Sequence, residues 1–387
     1  MMLNCFNIYA IVWTIIIFLY DLRWSDYCEP LNIHLRIFIY VSVIICLFLG
    51  QVTKDRFKCI RFNHRFRIGN GGTILICILQ LFEYIYCREI PLLNVIFNGG
   101  NYSDFGGIPT FHVLIYTFSA FYAQVLFYAF INERKFQFIR NYIIIIFVVF
   151  VLQFMRGGLT ICISVSALMY LFSLRKRMDL KKIIGLLFSF FIGIYAFGGI
   201  GNIRHGNSWN DSSAFYSFGR INSNFPIWLP KQFVWPYTYI VGSLATLNYN
   251  VNLNNTEHNF FGYIQSIIPD FISKRLWPNS ETATPQLMTR TFTTTTGYFD
   301  SFYFGGIVGI YIMFFILVIV ALFVLYANFI KDKYRLIVLS NLSIVFALYF
   351  FTNGLHNSAV SFSIVYPIVF SLISKKIKCP KYKFVYR

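Results

Sequence analysis

Apolar residues come in long blocks along this chain, and polar residues are confined to short breaks between them. A helix needs about 20 mostly apolar residues to cross the ~30 Å hydrocarbon core of a bilayer. Ten stretches approach that requirement: 3–20, 34–53, 70–87, 108–131, 141–155, 158–174, 183–199, 303–330, 336–352 and 359–374. The first lacks a basic leader and runs straight into Tyr20 and Asp21, which argues against a cleaved signal peptide. Nearly all connections are short; the exception is 200–302. The pattern predicts an all-α polytopic membrane protein. It would form a single integral membrane domain over 1–387, with one large extracytoplasmic loop at 200–302.

Two stretches need more than block counting. The segment 141–174 is apolar except around Met155-Arg156-Gly157-Gly158. As one straight helix it would be ~51 Å long at about 1.5 Å per residue, too long for a single crossing. As a hairpin it makes two short spans with Arg156 at the turn. Within 200–302, Phe260, Phe261, Ile264, Ile267, Ile268 and Phe271 recur at helical spacing, which predicts an interfacial helix. Trp228, Trp235 and Tyr237 sit among prolines there and are expected to anchor the loop at headgroup level.

Charge decides the hairpin. The formal net charge is +18, from 33 Lys+Arg against 15 Asp+Glu. With the hairpin, 23 of the basic residues fall on the cytoplasmic side and 10 outside. Without it the split is 15 and 17, with Arg156 stranded in lipid. The positive-inside rule selects the hairpin, both termini in the cytoplasm and the long loop outside. The excess positive charge is therefore a topology signal, and nucleic acid is not an expected partner.

Composition narrows the class further. The chain is 57% hydrophobic and 12% charged, with mean hydropathy +0.61. That excludes a disordered protein, a disulfide-stapled mini-domain and an ordinary cytosolic enzyme. Eight widely spaced cysteines form neither a CxxC pair nor a Cys/His cluster, so no metal is expected. No phosphate-binding glycine fingerprint and no HExxH occurs. The abundance of Ile, Phe, Tyr, Asn and Lys points to an AT-rich bacterial genome.

The candidate chemistry lies on the outer side. Arg156 is an arginine at membrane depth or at a turn, where such a residue is costly and marks a site. The glycines after it would let a bulky ligand approach, and its guanidinium could grip a phosphate. Arg220 and Arg290 are the preferred pair of phosphate ligands among the long loop's cations, with Arg204 in reserve; Lys274 and Arg275 read as anchors. Glu257 and His258 precede the amphipathic segment and are candidates for a general base toward a sugar hydroxyl. Asp300 stands just before the eighth block, where it could position a substrate. Glu83 lies inside the third block, where an ionisable group is a functional candidate. Proximity to the outer interface also accounts for it.

Several of these stretches resemble a known family. Gln153-Phe154-Met155-Arg156-Gly157-Gly158-Leu159 resembles an Arg-Gly turn between two middle helices. Trp235-Pro236-Tyr237-Thr238-Tyr239-Ile240, followed by Leu244-Ala245-Thr246-Leu247-Asn248, resembles a tyrosine-rich outer-loop segment. Residues 291–309, a threonine-rich run leading into Tyr303-Phe304-Gly305-Gly306, resemble the approach to a late span. In this order and layout they resemble the Wzy-type O-antigen and capsular polysaccharide polymerases.

The resemblance implies a GT-C-type membrane fold in the bacterial inner membrane. It also implies an enzyme that joins oligosaccharide repeat units carried on undecaprenyl pyrophosphate at the outer face. Donor and acceptor would both be lipid-linked glycans, with membrane lipids around them and a chain-length regulator as a further candidate partner. No cofactor is implied. Arg156, Arg220 and Arg290 would hold pyrophosphate, and Glu257 or His258 would take the acceptor proton. Alternatives stay open. One is a glycan ligase of the same layout; another is a lipid or polysaccharide flippase using Glu83. A third is a glycosyltransferase using Asp21, Asp26 and Glu29 in the first outer loop.

Overall fold

The computed structural model describes residues 4–58, 68–98, 105–173, 180–204, 208–278, 282–289 and 293–376. Among them the chain is helical, with no strand; one isolated antiparallel bridge joins Ser25 and Ile221. The helices are α1 (Cys5–Asp21), α2 (Ile33–Val52), α3 (Lys54–Lys58), α4 (Gly71–Cys87), α5 (Pro91–Asn98), α6 (Phe111–Glu133), α7 (Phe136–Ile145) and α8 (Arg156–Ser173). They continue with α9 (Leu180–Arg204), α10 (Ser213–Phe218), α11 (Val234–Asn252), α12 (Phe260–Ile267), α13 (Asp270–Leu276), α14 (Phe299–Tyr326), α15 (Asp332–Leu348) and α16 (Ser358–Lys376).

A helix occupies each of the ten apolar stretches. Among the described residues, three are long and apolar enough to cross a membrane: α2, α6 and α14. Shorter apolar helices include α1, α4, Phe136–Val151, Gly157–Ser173, Phe191–Asn202 and Ser358–Ile373. α15 is in neither group, and every residue from Leu336 to Phe346 is buried. A helix buried on every face is an interior helix, and its buried amide Asn341 is paired with Gln124.

The outward faces carry the membrane signature. On α2, Ile33, Ile37, Tyr40, Val41, Ile44, Leu47, Phe48 and Val52 are exposed, while Ser42 and Cys46 are buried. On α4, Ile74, Leu75, Ile78, Leu81, Phe82 and Ile85 point out, while Thr73, Gln80 and Glu83 point in. Water selects the opposite arrangement; lipid favours apolar groups outside and hydrogen-bonded polar groups within.

The chain groups into two compact units. The first comprises 1–54, 174–318 and 345–357; the second comprises 55–173, 319–344 and 358–387. In the first unit, α1 packs on α2 and α11, and α11 packs on α9. Its centre is aromatic: Tyr9, Trp13, Phe38, Tyr298, Phe314 and Tyr349 are all buried and meet ring to ring. In the second unit, α6 is the hub, packing on α4, α7, α8 and α16. Gln124 and Asn341 exchange reciprocal side-chain hydrogen bonds of 3.1 and 2.7 Å there, which satisfies two buried amides.

The 141–174 stretch is broken. After α7 the chain makes a π-helical turn over Ile146–Val151, then a tight reversal in which Phe154 adopts φ 57°. Arg156 opens the next helix, α8. Gly158, expected to admit a ligand, instead lies directly against the Tyr116 hydroxyl and near Phe150. Its small size serves close packing of α8 on α6.

The 200–302 segment is far more built than a surface loop. α11 is 19 residues long, and 14 of them are buried. Trp235 and Tyr237, expected as interfacial anchors, are 3% and 4% exposed. Trp235 donates its indole N–H to Asn202 at 2.9 Å, and the Tyr237 hydroxyl accepts from the Trp24 amide at 3.0 Å. Trp228, by contrast, is exposed. The amphipathic segment is two helices, α12 and α13, divided at Pro269. α12 buries Gly262, Gln265 and Ser266 and turns Phe260 and Phe261 outward. That orientation suits contact with lipid.

Candidate functional site

α14 carries a break that matters for chemistry. Gly306 adopts φ 61° and ψ −159°, a backbone conformation closed to residues with a Cβ. The 20 residues beyond it would span ~30 Å as a straight helix, the thickness of the hydrocarbon core. The first turn, with Asp300, is thereby set apart from the spanning part.

Three segments of the first unit fold onto this first turn. The Glu257 amide donates to the Tyr303 carbonyl at 2.8 Å, and the Tyr263 hydroxyl donates to the Gly309 carbonyl at 2.9 Å, so 257–263 lies along α14. Gly297 donates its amide to the Tyr349 carbonyl at 2.7 Å, and a Cβ on Gly297 would sit 2.7 Å from the Thr352 carbonyl oxygen. The threonine run therefore lies flat on the turn after α15. Asn353 organises that turn: its amide donates to the Ser266 carbonyl at 2.8 Å, and its Oδ1 accepts from the Leu355 and His356 amides.

Between these segments lies a polar cavity of about 290 Å³. Asp270, Asp300, His356, Asn353, Thr295 and Thr296 line it, together with Asn357 and the 351–352 turn. Asp270 donates its amide to the His356 carbonyl at 2.7 Å, and its carboxylate accepts from Lys274 at 3.3 Å. His356 is held by Nδ1, 2.7 Å from the Ile268 carbonyl oxygen. A carbonyl only accepts, so Nδ1 carries the proton and Nε2 presents a lone pair in the neutral ring. The half-buried Asp300 carboxylate has no hydrogen-bond or ion-pair partner among the described residues. The cavity thus offers one oriented proton acceptor, two carboxylates, and amide and hydroxyl groups suited to a polyhydroxylated ligand.

No family model, curated protein or solved structure matches this chain.

The remaining candidates fall elsewhere. Glu257 and His258 are both exposed and do not line the cavity; His258 adopts φ 48°, and its ring would lie 3.2 Å from a Cβ at Gly306. Arg220 is exposed in the turn after α10, with its guanidinium 5.3 Å from the centre of the Tyr27 ring and its carbonyl accepting from the Asp26 amide. Arg204 ends α9 and Arg156 begins α8, the latter in the second unit. Arg290 lies outside the described residues. In the first outer loop Asp21 is paired with Arg36 at 2.8 Å, and Asp26 accepts from Asn222 at 3.0 Å. Among the described residues no group of three or more His, Cys, Asp or Glu side chains is arranged to hold a metal.

His356, Asp270, Asn353 and Asn357 were not among the sequence candidates. The available signal was the polar run Thr352-Asn353-Gly354-Leu355-His356-Asn357-Ser358 between two apolar blocks. It reads as a short outer turn until its partners are known.

Glu83 has a different setting in the second unit. Its Oε1 accepts from His112 Nδ1 at 3.0 Å and from the Ile108 amide at 3.1 Å; its Oε2 accepts from Gln80 at 2.9 Å. The carboxylate is wholly buried. Its partner is a histidine, and the arrangement closes the 105–110 connection onto α4.

Proposed function

We propose that this protein is a membrane polysaccharide polymerase of about ten spans with a GT-C-type layout. It joins oligosaccharide repeat units carried on undecaprenyl pyrophosphate at the outer face of the bacterial inner membrane. The observation that carries the reading is the 290 Å³ cavity, in which Asp300, His356, Asp270, Asn353 and the threonine run meet at the head of the apolar helix α14. A carbohydrate is recognised by carboxylates, amides and hydroxyls, and glycosyl transfer needs a proton acceptor near the attacking hydroxyl. The outer-side arginines supply the other requirement: the leaving pyrophosphate gains charge, and guanidinium groups stabilise it. Arg156, Arg220, Arg290 and Arg204 are the candidates for that role.

The reaction places the acceptor hydroxyl against the anomeric carbon of the lipid-linked glycan. A new C–O bond forms there, the bond to pyrophosphate breaks, and the lipid pyrophosphate departs with the electron pair. Glu257 and His258, along α14 from the cavity, are candidates for accepting the hydroxyl proton.

Gene deletion tests the reading directly. The expected phenotype is surface glycan capped with a single repeat unit, without a ladder on a gel. A full ladder in the deletion strain excludes it. Accumulation of long polymer still attached to the lipid identifies a ligase instead.

A further inference from the structure

We infer that His356 is the general base that takes the proton from the acceptor hydroxyl, with Asp300 receiving a hydrogen bond from the same sugar. This inference rests on the polymerase reading and deepens it by assigning the site's chemistry to two residues.

The argument is one of orientation. A histidine on an outer turn is usually free to rotate and to exchange tautomers. His356 is not: Nδ1–H is committed to the Ile268 carbonyl at 2.7 Å, and its own amide and carbonyl are tied to Asn353 Oδ1 and to the Asp270 amide. The ring lines the cavity with Nδ1 as the anchored donor, which leaves Nε2 as the acceptor nitrogen of the neutral tautomer, without a hydrogen-bond partner among the described residues. A base needs that arrangement, with one nitrogen anchored as a donor and the other left as an acceptor.

The surroundings fit the role. Asp300 on α14 and Asp270 on α13 are the titratable groups sharing the cavity with His356, and Lys274 pairs with Asp270. Asp270 is thus partly neutralised, whereas Asp300 keeps its acceptor oxygens for a ligand. An imidazolium formed during the reaction would be stabilised by the Asp300 carboxylate across the cavity. By contrast, Glu257 and His258 are solvent-exposed, and His258 Nε2 lies 3.3 Å from the Thr256 hydroxyl.

The step balances. The acceptor O–H proton passes to His356 Nε2 as the oxygen bonds to the anomeric carbon. The electron pair of the broken C–O bond leaves with the lipid pyrophosphate. The proton is then returned to water or to the departing phosphate.

The experiment uses full-length protein in lipid nanodiscs and the lipid-linked oligosaccharide that accumulates in the deletion strain, supplied as both donor and acceptor. Wild type, His356→Gln, Asp300→Asn and His258→Gln are compared for chain extension across pH, with thermal melting as a control for folding. A general base contributes roughly 10²–10⁴-fold. His356→Gln should lower kcat by at least about 100-fold with KM changed less than about threefold, and should abolish the acidic limb of the pH profile. Loss of the acidic limb in His258→Gln but not in His356→Gln assigns the base to His258 and overturns the inference. Polymerisation by His356→Gln within about fivefold of wild type, with the acidic limb intact, overturns the assignment and leaves the polymerase reading standing. If wild type itself forms no polymer, that reading fails and the assignment fails with it. Should His356→Gln melt early, Asp300→Asn decides: loss of extension at unchanged melting temperature supports the site, and full activity overturns it.

Discussion

The protein contains two carboxylate–histidine neighbourhoods, and they are built in opposite ways. In the second unit, Glu83 is sealed from solvent and accepts three hydrogen bonds, from His112, the Ile108 amide and Gln80. In the first unit, Asp300 and His356 line an open cavity; Asp300 has no hydrogen-bond or ion-pair partner among the described residues, and His356 has only Nδ1 engaged. The residue types match, but the unused bonding capacity differs. A saturated buried carboxylate is a structural clamp, because any ligand would have to displace bonds already made. An unsaturated one at a cavity wall has its bonding capacity available to a substrate. Ionisability within an apolar block therefore does not separate a site from a staple, whereas the donor and acceptor count does.

The comparison can be broken most decisively at the clamp. Glu83→Leu leaves the His112, Ile108 and Gln80 donors without their acceptor, and should destabilise by about 1–3 kcal/mol. The readout is a large fall in melting temperature and in yield of monodisperse protein in detergent. Unchanged melting would mean that the pair is not structural. At the cavity the same logic predicts the reverse. Asp300→Asn should leave melting within about 0.5 kcal/mol of wild type, while chain extension falls by about 10²-fold. A destabilised Asp300→Asn with normal turnover would reverse the roles assigned to the two regions.

Smaller effects sharpen the contrast. Gly107 has φ 61°, and a Cβ there would press on His112 at 2.7 Å and Glu83 at 2.8 Å. Gly107→Ala should cost about 1–2 kcal/mol through backbone strain and displacement of the pair. Thermal melting with and without Glu83→Gln would show whether the two changes act through one contact. A double-mutant cycle between Glu83 and His112 should give a coupling of about 0.5–3 kcal/mol in stability. The corresponding cycle between Asp300 and His356 should give almost none in stability, and a coupling only in turnover.

Much of the architecture was legible because membrane helices are written in composition. A block of about 20 apolar residues has few alternatives to a helix, since unpaired backbone groups are not tolerated in lipid. Every apolar stretch holds a helix, and the break before Arg156 is where length and charge placed it. Asp300 was also legible, as a carboxylate at the head of a late apolar block. His356 was not, because the groups that orient it, the Ile268 carbonyl and Asn353, are distant or unremarkable in sequence. Trp235 and Tyr237 misled for a related reason. An aromatic near proline looks the same whether it anchors at a headgroup or fills a core, and the difference lies in Asn202 and Trp24, which reach them from other elements.

The sequence by itself determined an all-helical chain and the position of each apolar helix. These follow from short-range rules, namely the length of an apolar run and the charge at its ends. Only the tertiary structure decided which polar residues are spent and which are available. It buried α11, saturated Glu83, kinked α14 at Gly306 and brought Asp270, Asp300, Asn353 and His356 around one cavity. Hydrogen-bond satisfaction depends on partners far apart in the chain, and no local pattern of residues records it.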